Sequence, residues 1–232
     1  MSVSRATEAT RIGFVLFPDL TQLDLTGPWE VLTRLPGSDC QLLSHELRPV
    51  KSASGLSILP TLTYVDCPQL DIIVVPGGPG HVDAMQDPGL LEFLRQQAPQ
   101  CRFLTAVCTG TLVLAAAGLL IGYRATTHWA SLHRLPVFGA LAAEDRVVLD
   151  RNRLTGGGVT AGIDFGFRLL SELGGVELAK EVQLQMEYAP EPPFAGHPST
   201  ADAETVETLK DRGLTFFSEV AAIDAHLASL IR

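Results

Sequence analysis

Cys108 is the residue of this sequence whose position most clearly allows chemistry. It stands between the apolar run LTAV, at 104–107, and a helix-like run that starts TGTLVL at 109. A cysteine at such a strand-to-helix corner meets free N–H groups and a partial positive charge, which stabilise a thiolate. We therefore expect an accessible sulfur with a lowered pKa, acting as a nucleophile. The amides of Thr109 and Gly78 are expected to face the charge that develops during attack.

The other three cysteines, Cys40, Cys67 and Cys101, occupy no comparable corner, and we interpret them as packed core residues. No pair of cysteines has CxxC spacing, so the sequence predicts neither a zinc site nor a disulfide scaffold. Free thiols are typical of a reducing compartment, and we expect the protein in the cytoplasm.

Asp24 is the candidate carboxylate. It lies between Leu23 and Leu25 in QLDLTGP, and an aspartate in apolar surroundings is unusual unless it is paired or functional. Burial would raise its pKa into a range useful for general acid and base catalysis. The alternative is a helix-capping role beside Thr26, Gly27 and Pro28, and the sequence leaves both possibilities open.

Two glycine-rich segments and one histidine complete the candidate site. PGG at 76–78 and TGGG at 155–158 match no phosphate-binding motif, so we interpret them as turns that bring backbone, including Gly77 and Gly78, close to the site. Of the six histidines, only His128 is expected to reach the same edge, in a supporting role rather than as the base. No HExxH spacing occurs, and we predict no metal.

Apolar, β-branched runs alternate with helical patterns along the chain. Strands without polar alternation that are joined through helices are typical of a parallel sheet buried on both faces, so the predicted fold class is α/β, doubly wound. Ligands bind beyond the carboxyl ends of such strands, where Asp24, the PGG turn and Cys108 all fall. The predicted strands lie at 12–17, 40–47, 71–78 (ending in the glycine turn) and 102–107, with a short strand at 125–129 and hairpins within 48–64 and 146–157. The predicted helices lie from about 26, at 87–98, 109–120, 130–135, 160–173 and 176–188, with one or two more at the end.

Composition limits the classes of partner. The 232 residues carry 26 acidic against 17 basic side chains, and a net charge of −9 argues against nucleic-acid binding. The longest apolar run, LVLAAAGLLI, is too short to cross a bilayer, so we predict no membrane association. We expect residues 1–10 to be a disordered lead-in and residues 11–232 to form one domain with a C-terminal helical extension.

These residues carry a resemblance to a known family. The chain resembles the DJ-1/PfpI superfamily over nearly its whole length, and within it the branch that hydrates isocyanides. A CTG corner with an upstream LDLTGP separates this branch from those carrying Glu and Cys-His. The resemblance rests on the ordered set FPDLTQLDLTGP, VVPGG, AVCTGTLVLAAAGLL, ATTHWA and LTGGGVTAGIDF.

The resemblance implies a flavodoxin-like homodimer with no cofactor, converting R–N≡C and water to an N-substituted formamide. It implies Cys108 as nucleophile, Asp24 as acid and base, Thr109 as a supporting hydroxyl and amide, and Gly78 as a second amide. Two other functions are weighed against it: a glyoxalase-like or deglycase-like enzyme, and a redox sensor that uses Cys108. A transcription-regulator role is disfavoured, because the C-terminal segment is too short and acidic for DNA-binding modules.

Overall fold

A computed structural model describes residues 9–231, with backbone only for residues 213–219. Most of the predicted lead-in, residues 1–8, lies outside the described residues, and Thr10 already belongs to the first strand. The strands are β1 Thr10–Val15, β2 Ser38–Ser44, β3 Val50–Lys51, β4 Ser57–Ile58, β5 Leu62–Thr63, β6 Ile72–Val75, β7 Phe103–Val107, β8 Arg124–Ala125, β9 Leu141–Ala142, β10 Val147–Asp150 and β11 Arg153–Gly156.

Seven of these strands form one sheet, in the order β10-β11-β7-β6-β1-β2-β5. Every neighbouring pair is parallel except β10 and β11, which form the antiparallel hairpin expected within 146–157. The central strands are buried on both faces, and all four residues of β6 are inaccessible. The doubly wound, mostly parallel sheet predicted from the apolar runs is confirmed.

Helices cover both faces of this sheet. Helix α1 packs against α5, while α4 packs against α2, α3, α7 and the longer 3-10 helix. The α-helices are α1 Gln22–Leu32, α2 His81–Ala84, α3 Pro88–Gln97, α4 Gly110–Ala116, α5 Ala161–Gly174, α6 Val176–Gln185 and α7 Ala203–Leu230, and the 3-10 helices are Ala98–Gln100 and Trp129–Phe138.

The start of α1 differs from the prediction. The Gly27-Pro28 pair was expected in the first turn, but the helix begins at Gln22 and contains Pro28 in its interior. Close packing against α5 explains the difference: the Cα of Pro28 would lie 3.3 Å from a Cβ added at Gly166, so the two helices meet at small residues. Tertiary contact therefore overrides the local tendency of Gly-Pro to mark a helix start.

Helix α3 generates a stability prediction. The Asp87 side chain accepts hydrogen bonds from the amides of Gly89 (2.9 Å) and Leu90 (3.0 Å), ahead of Pro88 at the first helical position. We expect Asp87→Ala to lower the free energy of unfolding by about 1 kcal/mol in urea denaturation, since two N–H groups lose their acceptor. Asp87→Ser retains a capping oxygen and should lose less; equal losses for the two variants would contradict the capping role.

Candidate active site

Cys108 occupies a strained backbone position at the corner between β7 and α4. Its φ of 56° lies in the left-handed region that residues with a side chain rarely adopt. Three hydrogen bonds hold this conformation: its amide is shared between the carbonyls of Gly156 (3.0 Å) and Gly157 (2.9 Å), and the Thr127 hydroxyl donates to its carbonyl at 2.7 Å. Such locally strained, over-determined residues are typical of functional sites.

The glycine of the CTG motif lets α4 approach the loop that follows β6. A Cβ added at Gly110 would collide with the carbonyl oxygen of Val75 and lie 2.5 Å from that of Pro76. Since both oxygens belong to backbone, nothing flexible could yield. The close approach brings Thr109 and Cys108 against the PGG turn, as expected from three strands that end at one edge.

Asp24 lies in the first turn of α1 and is fully buried. Its Oδ2 atom accepts a hydrogen bond from the Gly77 amide at 3.0 Å, whereas Oδ1 has no hydrogen-bond partner among the described residues. The carboxyl group therefore does not cap its own helix, which leaves Thr21 as the N-cap residue. Of the two roles that the sequence left open for Asp24, the structure does not show the capping role, and the acid–base role stays a prediction.

The PGG turn holds both side chains that flank the thiol. The Gly78 amide donates to Oγ1 of Thr109 at 2.9 Å, so in this structure it is engaged there and not directed at the developing charge that the sequence led us to expect it to face. A Cβ added at Gly77 would lie 2.5 Å from the Thr109 amide nitrogen and 2.9 Å from Asp24 Oδ2. The two glycine amides thus fix Asp24 and Thr109 in place. A side chain fits at neither position, since a Cβ added at Gly78 would lie 2.6 Å from the Asp19 carbonyl oxygen.

Burial dominates the electrostatics of the carboxyl and thiol groups. It raises the pKa of Asp24 to about 7, against smaller lowering effects of the Gly77 amide and the Cys108 thiol. It also raises the pKa of the Cys108 thiol well above its usual range, and the charge of Asp24 adds to the rise, while the Thr109 amide opposes it. The expectation of an accessible sulfur with a lowered pKa is therefore wrong. Cys108 is 5% exposed, and desolvation outweighs the effect of the N-terminus of a seven-residue helix on the thiol pKa.

The thiol and carboxyl groups are close enough for each to shift the pKa of the other. Around neutral pH, the pair holds one proton in its reactive form, either on sulfur or on oxygen. Transfer from sulfur to oxygen creates a thiolate next to a carboxylic acid. The arrangement can therefore present a nucleophile and a proton to the same substrate atom.

A cavity of about 390 Å³ lies next to the main chain of the corner, and neither Cys108 nor Asp24 is among the residues that line it. Thr127 and Gly157 line it, and both contact the main chain of Cys108. His128 also lines it, and its Nδ1 atom accepts from the Ala130 amide at 3.3 Å, which caps the longer 3-10 helix. Burial lowers the pKa of His128, so its ring is neutral at neutral pH. The volume fits a small organic molecule.

His81 also reaches this edge, although the sequence indicated only His128. Its Nδ1 atom lies 2.8 Å from the Gly78 carbonyl oxygen, and its Nε2 atom lies 2.7 Å from Nη1 of Arg134. Arg134 in turn forms a buried ion pair with Asp224 of α7. The signal available in the sequence was position alone: His81 comes three residues after the PGG turn.

Among residues 9–231, no group of three or more His, Cys, Asp or Glu side chains is arranged to hold a metal ion. Within the same described part of the chain, no helix combines the length and apolar character needed to cross a membrane.

Comparison with known proteins identifies the family. Residues 10–172 match the DJ-1/PfpI family. The chain is 55% identical over 205 residues to an isonitrile hydratase of Pseudomonas putida, covering 88% of this chain and 90% of that protein. It is 34% identical to an HTH-type transcriptional regulator of Pseudomonas aeruginosa, covering 76% of this chain and 50% of the regulator.

A solved structure gives the same result at the level of the fold. A ThiJ/PfpI family protein from Pseudomonas syringae superposes with a TM-score of 0.90 at 37% identity, covering 98% of this chain and 97% of the other. The flavodoxin-like architecture implied by the resemblance is confirmed. By its strand-end site, its sequence and its fold, this chain belongs to the DJ-1/PfpI family.

Proposed function

We propose that this protein hydrates isocyanides, R–N≡C, to N-substituted formamides. The observation that carries the proposal is the buried pair of Asp24 and Cys108, a carboxyl with a pKa of about 7 beside a thiol. The 55% identity to an isonitrile hydratase supports the substrate class. An isocyanide is neutral and poorly hydrated, so little free energy is needed to move it from water to a buried thiol.

In the first step, Asp24 takes the thiol proton and the Cys108 sulfur attacks the terminal isocyanide carbon. The proton then passes from Asp24 to that same carbon, and the product is the thioimidate Cys–S–CH=N–R. One S–C bond and one C–H bond form, while one S–H bond breaks. The raised pKa of Asp24 makes it both a competent base for the thiol and a competent acid near neutral pH.

In the second step, Asp24 activates a water molecule that adds to the thioimidate carbon, while the nitrogen receives a proton. The tetrahedral adduct, Cys–S–CH(OH)–NH–R, collapses to the formamide, and sulfur leaves with a proton returned through Asp24. The Thr109 amide stabilises negative charge on sulfur in both steps. Covalent catalysis thus divides one difficult hydration into two easier steps, and the carboxyl returns to its starting state.

The chain supplies the nucleophile, the acid and the base itself, and we expect no cofactor. The cavity lined by Thr127, His128 and Gly157 is proposed to hold the R group, with His128 in a supporting role. We place the reaction in the cytoplasm, since the four cysteines are free thiols. We also propose a two-fold homodimer, the commonest assembly of its kind.

Loss of the isocyanide infrared band on incubation with purified protein tests the reaction directly. The matched measurement uses methylglyoxal, the substrate expected for a glyoxalase-like or deglycase-like enzyme. Turnover of the aldehyde without turnover of an aryl isocyanide would reject the proposal. Turnover of neither, with reversible peroxide oxidation of Cys108, would favour the redox-sensor alternative.

We expect Cys108→Ala and Cys108→Ser to abolish isocyanide turnover, because neither retains a group that reaches the thiolate state under these conditions. The measurement is the initial rate by infrared absorption. Cys40→Ala serves as the matched control, since Cys40 lies on β2 and is expected to keep the wild-type rate. A Cys108→Ala protein that still turns over substrate would remove Cys108 from the mechanism.

The rate is expected to depend on the ionisation of Asp24. Below a pH of about 7 the carboxyl group is protonated and cannot take the thiol proton, so kcat/KM should fall as the pH drops through that value. Asp24→Asn should lower kcat/KM by roughly 10²–10⁴-fold and remove this pH dependence. A variant with an unchanged rate would reduce Asp24 to a structural residue.

The same carboxyl group is expected to cost stability. Folding raises the pKa of Asp24 from 3.8 to about 7. Below pH 3.8 the carboxyl is protonated in both the folded and the unfolded state, so its burial removes no charge from water. As the pH rises to about 7, the unfolded state loses this proton first, and the free energy of unfolding falls. Asp24→Asn should therefore be more stable than wild type at pH 8, by up to about 4 kcal/mol, and no more stable near pH 3.5. Urea denaturation at both pH values measures this difference, and its absence would contradict a strongly raised pKa.

A further inference from the structure

A buried chain of polar groups links the C-terminal helix to the PGG turn. Asp224 of α7 pairs with Arg134, Arg134 contacts His81, and His81 contacts the Gly78 carbonyl. Asp224, Arg134 and His81 are 3%, 2% and 2% exposed, respectively, so all three are buried from solvent. Asp224 lies outside residues 10–172, the segment that matches the family.

The donors and acceptors along this chain can be assigned. Nε and Nη2 of Arg134 donate to the two carboxylate oxygens of Asp224 at 2.7 and 2.8 Å. Nη1 of Arg134 lies 2.7 Å from Nε2 of His81, and because a guanidinium only donates, Nε2 must accept. The ring proton of a neutral imidazole then sits on Nδ1, which donates to the Gly78 carbonyl at 2.8 Å.

The imidazole is neutral at physiological pH. Burial, and next to it the positive charge of Arg134, lower the pKa of His81 to about 4, against smaller raising effects of the Gly78 carbonyl and Asp224. A single tautomer of a neutral ring therefore reaches the turn. Without the arginine donor, both tautomers become available, and one of them points a lone pair at the Gly78 oxygen.

The buried ion pair of Arg134 and Asp224 adds little to stability for the desolvation that it requires. A buried ion pair pays a desolvation penalty of several kcal/mol for each ion, and apolar replacement of a whole pair is often neutral or stabilising. Gly78, the residue that this chain reaches, donates its amide to Thr109, and its neighbour Gly77 donates to Asp24. The position of one short turn therefore sets the position of both groups that flank the thiol.

We propose that Arg134 and Asp224 are positioning residues that hold His81 as the Nδ1–H tautomer, and that His81 thereby holds the Gly77–Gly78 turn against Asp24 and Thr109. Through this chain, α7 is connected to the candidate active site at the carboxyl ends of the strands. The consequence for isocyanide hydration rests on the proposed function, whereas the tautomer and the reactivity of Cys108 are measurable without an isocyanide.

The test uses the full-length double variant Arg134→Met/Asp224→Leu, which removes both charges together and leaves neither buried alone. In wild type, ¹⁵N NMR of labelled histidine should show His81 protonated at Nδ1 only, with the signal identified by its loss in His81→Leu. In the double variant, we expect a mixture of tautomers. A single Nδ1–H tautomer in the double variant, or an Nε2–H tautomer in wild type, would overturn the proposal.

The second readout is alkylation of Cys108 by iodoacetamide, followed at the level of the peptide by mass spectrometry. A displaced Asp24 takes the thiol proton less readily, so the double variant and His81→Leu should both react about three- to tenfold more slowly than wild type, the range expected for one lost hydrogen bond. Since His81→Leu changes one side chain only, it tests the proposal even where the double variant fails to fold. A wild-type rate in His81→Leu would overturn it.

Two further variants separate positioning from general loss of packing. Leu227→Ala removes a buried apolar contact of the same helix and leaves the polar chain intact, so its Tm should fall while alkylation keeps the wild-type rate. Adding His81→Asn to the double variant supplies a side-chain amide, which has an N–H donor and only one tautomer. This triple variant should recover the wild-type rate of Cys108 alkylation to within about twofold. Slow alkylation in Leu227→Ala, or no recovery with His81→Asn, would contradict the proposal.

Where the wild type turns over isocyanide, the double variant should lower kcat about three- to tenfold with KM nearly unchanged, since the substrate cavity is lined by other residues. If the wild type turns over no isocyanide, the proposed function fails, and the tautomer and alkylation measurements still decide the positioning role.

Discussion

The buried carboxyl of Asp24, held by the Gly77 amide against the Cys108 thiol, is the interaction on which the rest of the site depends. Desolvation keeps the carboxyl near its midpoint at neutral pH, and it keeps the thiol from ionising without a base. In the proposed mechanism the two groups act together and offer a nucleophile and a proton. The shifts in their pKa values come from exclusion of water rather than from an activating positive charge.

The sheet explains how such a pair is assembled. Three neighbouring parallel strands, β1, β6 and β7, end at the same edge and lead to the first turn of α1, the PGG turn and the cysteine corner. Each contributes something that the others cannot, respectively a carboxyl, two directed amides and a thiol. Glycines at 77 and 110 allow a backbone approach that any Cβ would block. Close packing here is a requirement of the chemistry, since the groups must exclude water to shift one another's pKa.

This arrangement lowers the stability of the folded state at the site itself. Cys108 adopts a left-handed backbone conformation that Thr127, Gly156 and Gly157 must hold, and Asp24 keeps an oxygen without a hydrogen-bond partner among the described residues. Buried polar groups of this kind reduce stability unless other contacts compensate. The ion pair between Asp224 of α7 and Arg134 connects a helix beyond the family segment to His81 and the PGG turn.

The sequence by itself determined the α/β class, most of the strands and helices, and the convergence of Asp24, the PGG turn and Cys108, because apolar periodicity and glycine turns are local signals. Only the tertiary structure decided the ionisation of Cys108, the use of the Gly78 amide, the start of α1 and the presence of His81 at the site. Those features depend on desolvation and on contacts between residues far apart in the chain, such as Arg134 with Asp224. A helix N-terminus can be recognised from residue order, but the amount of water that the fold removes from it cannot.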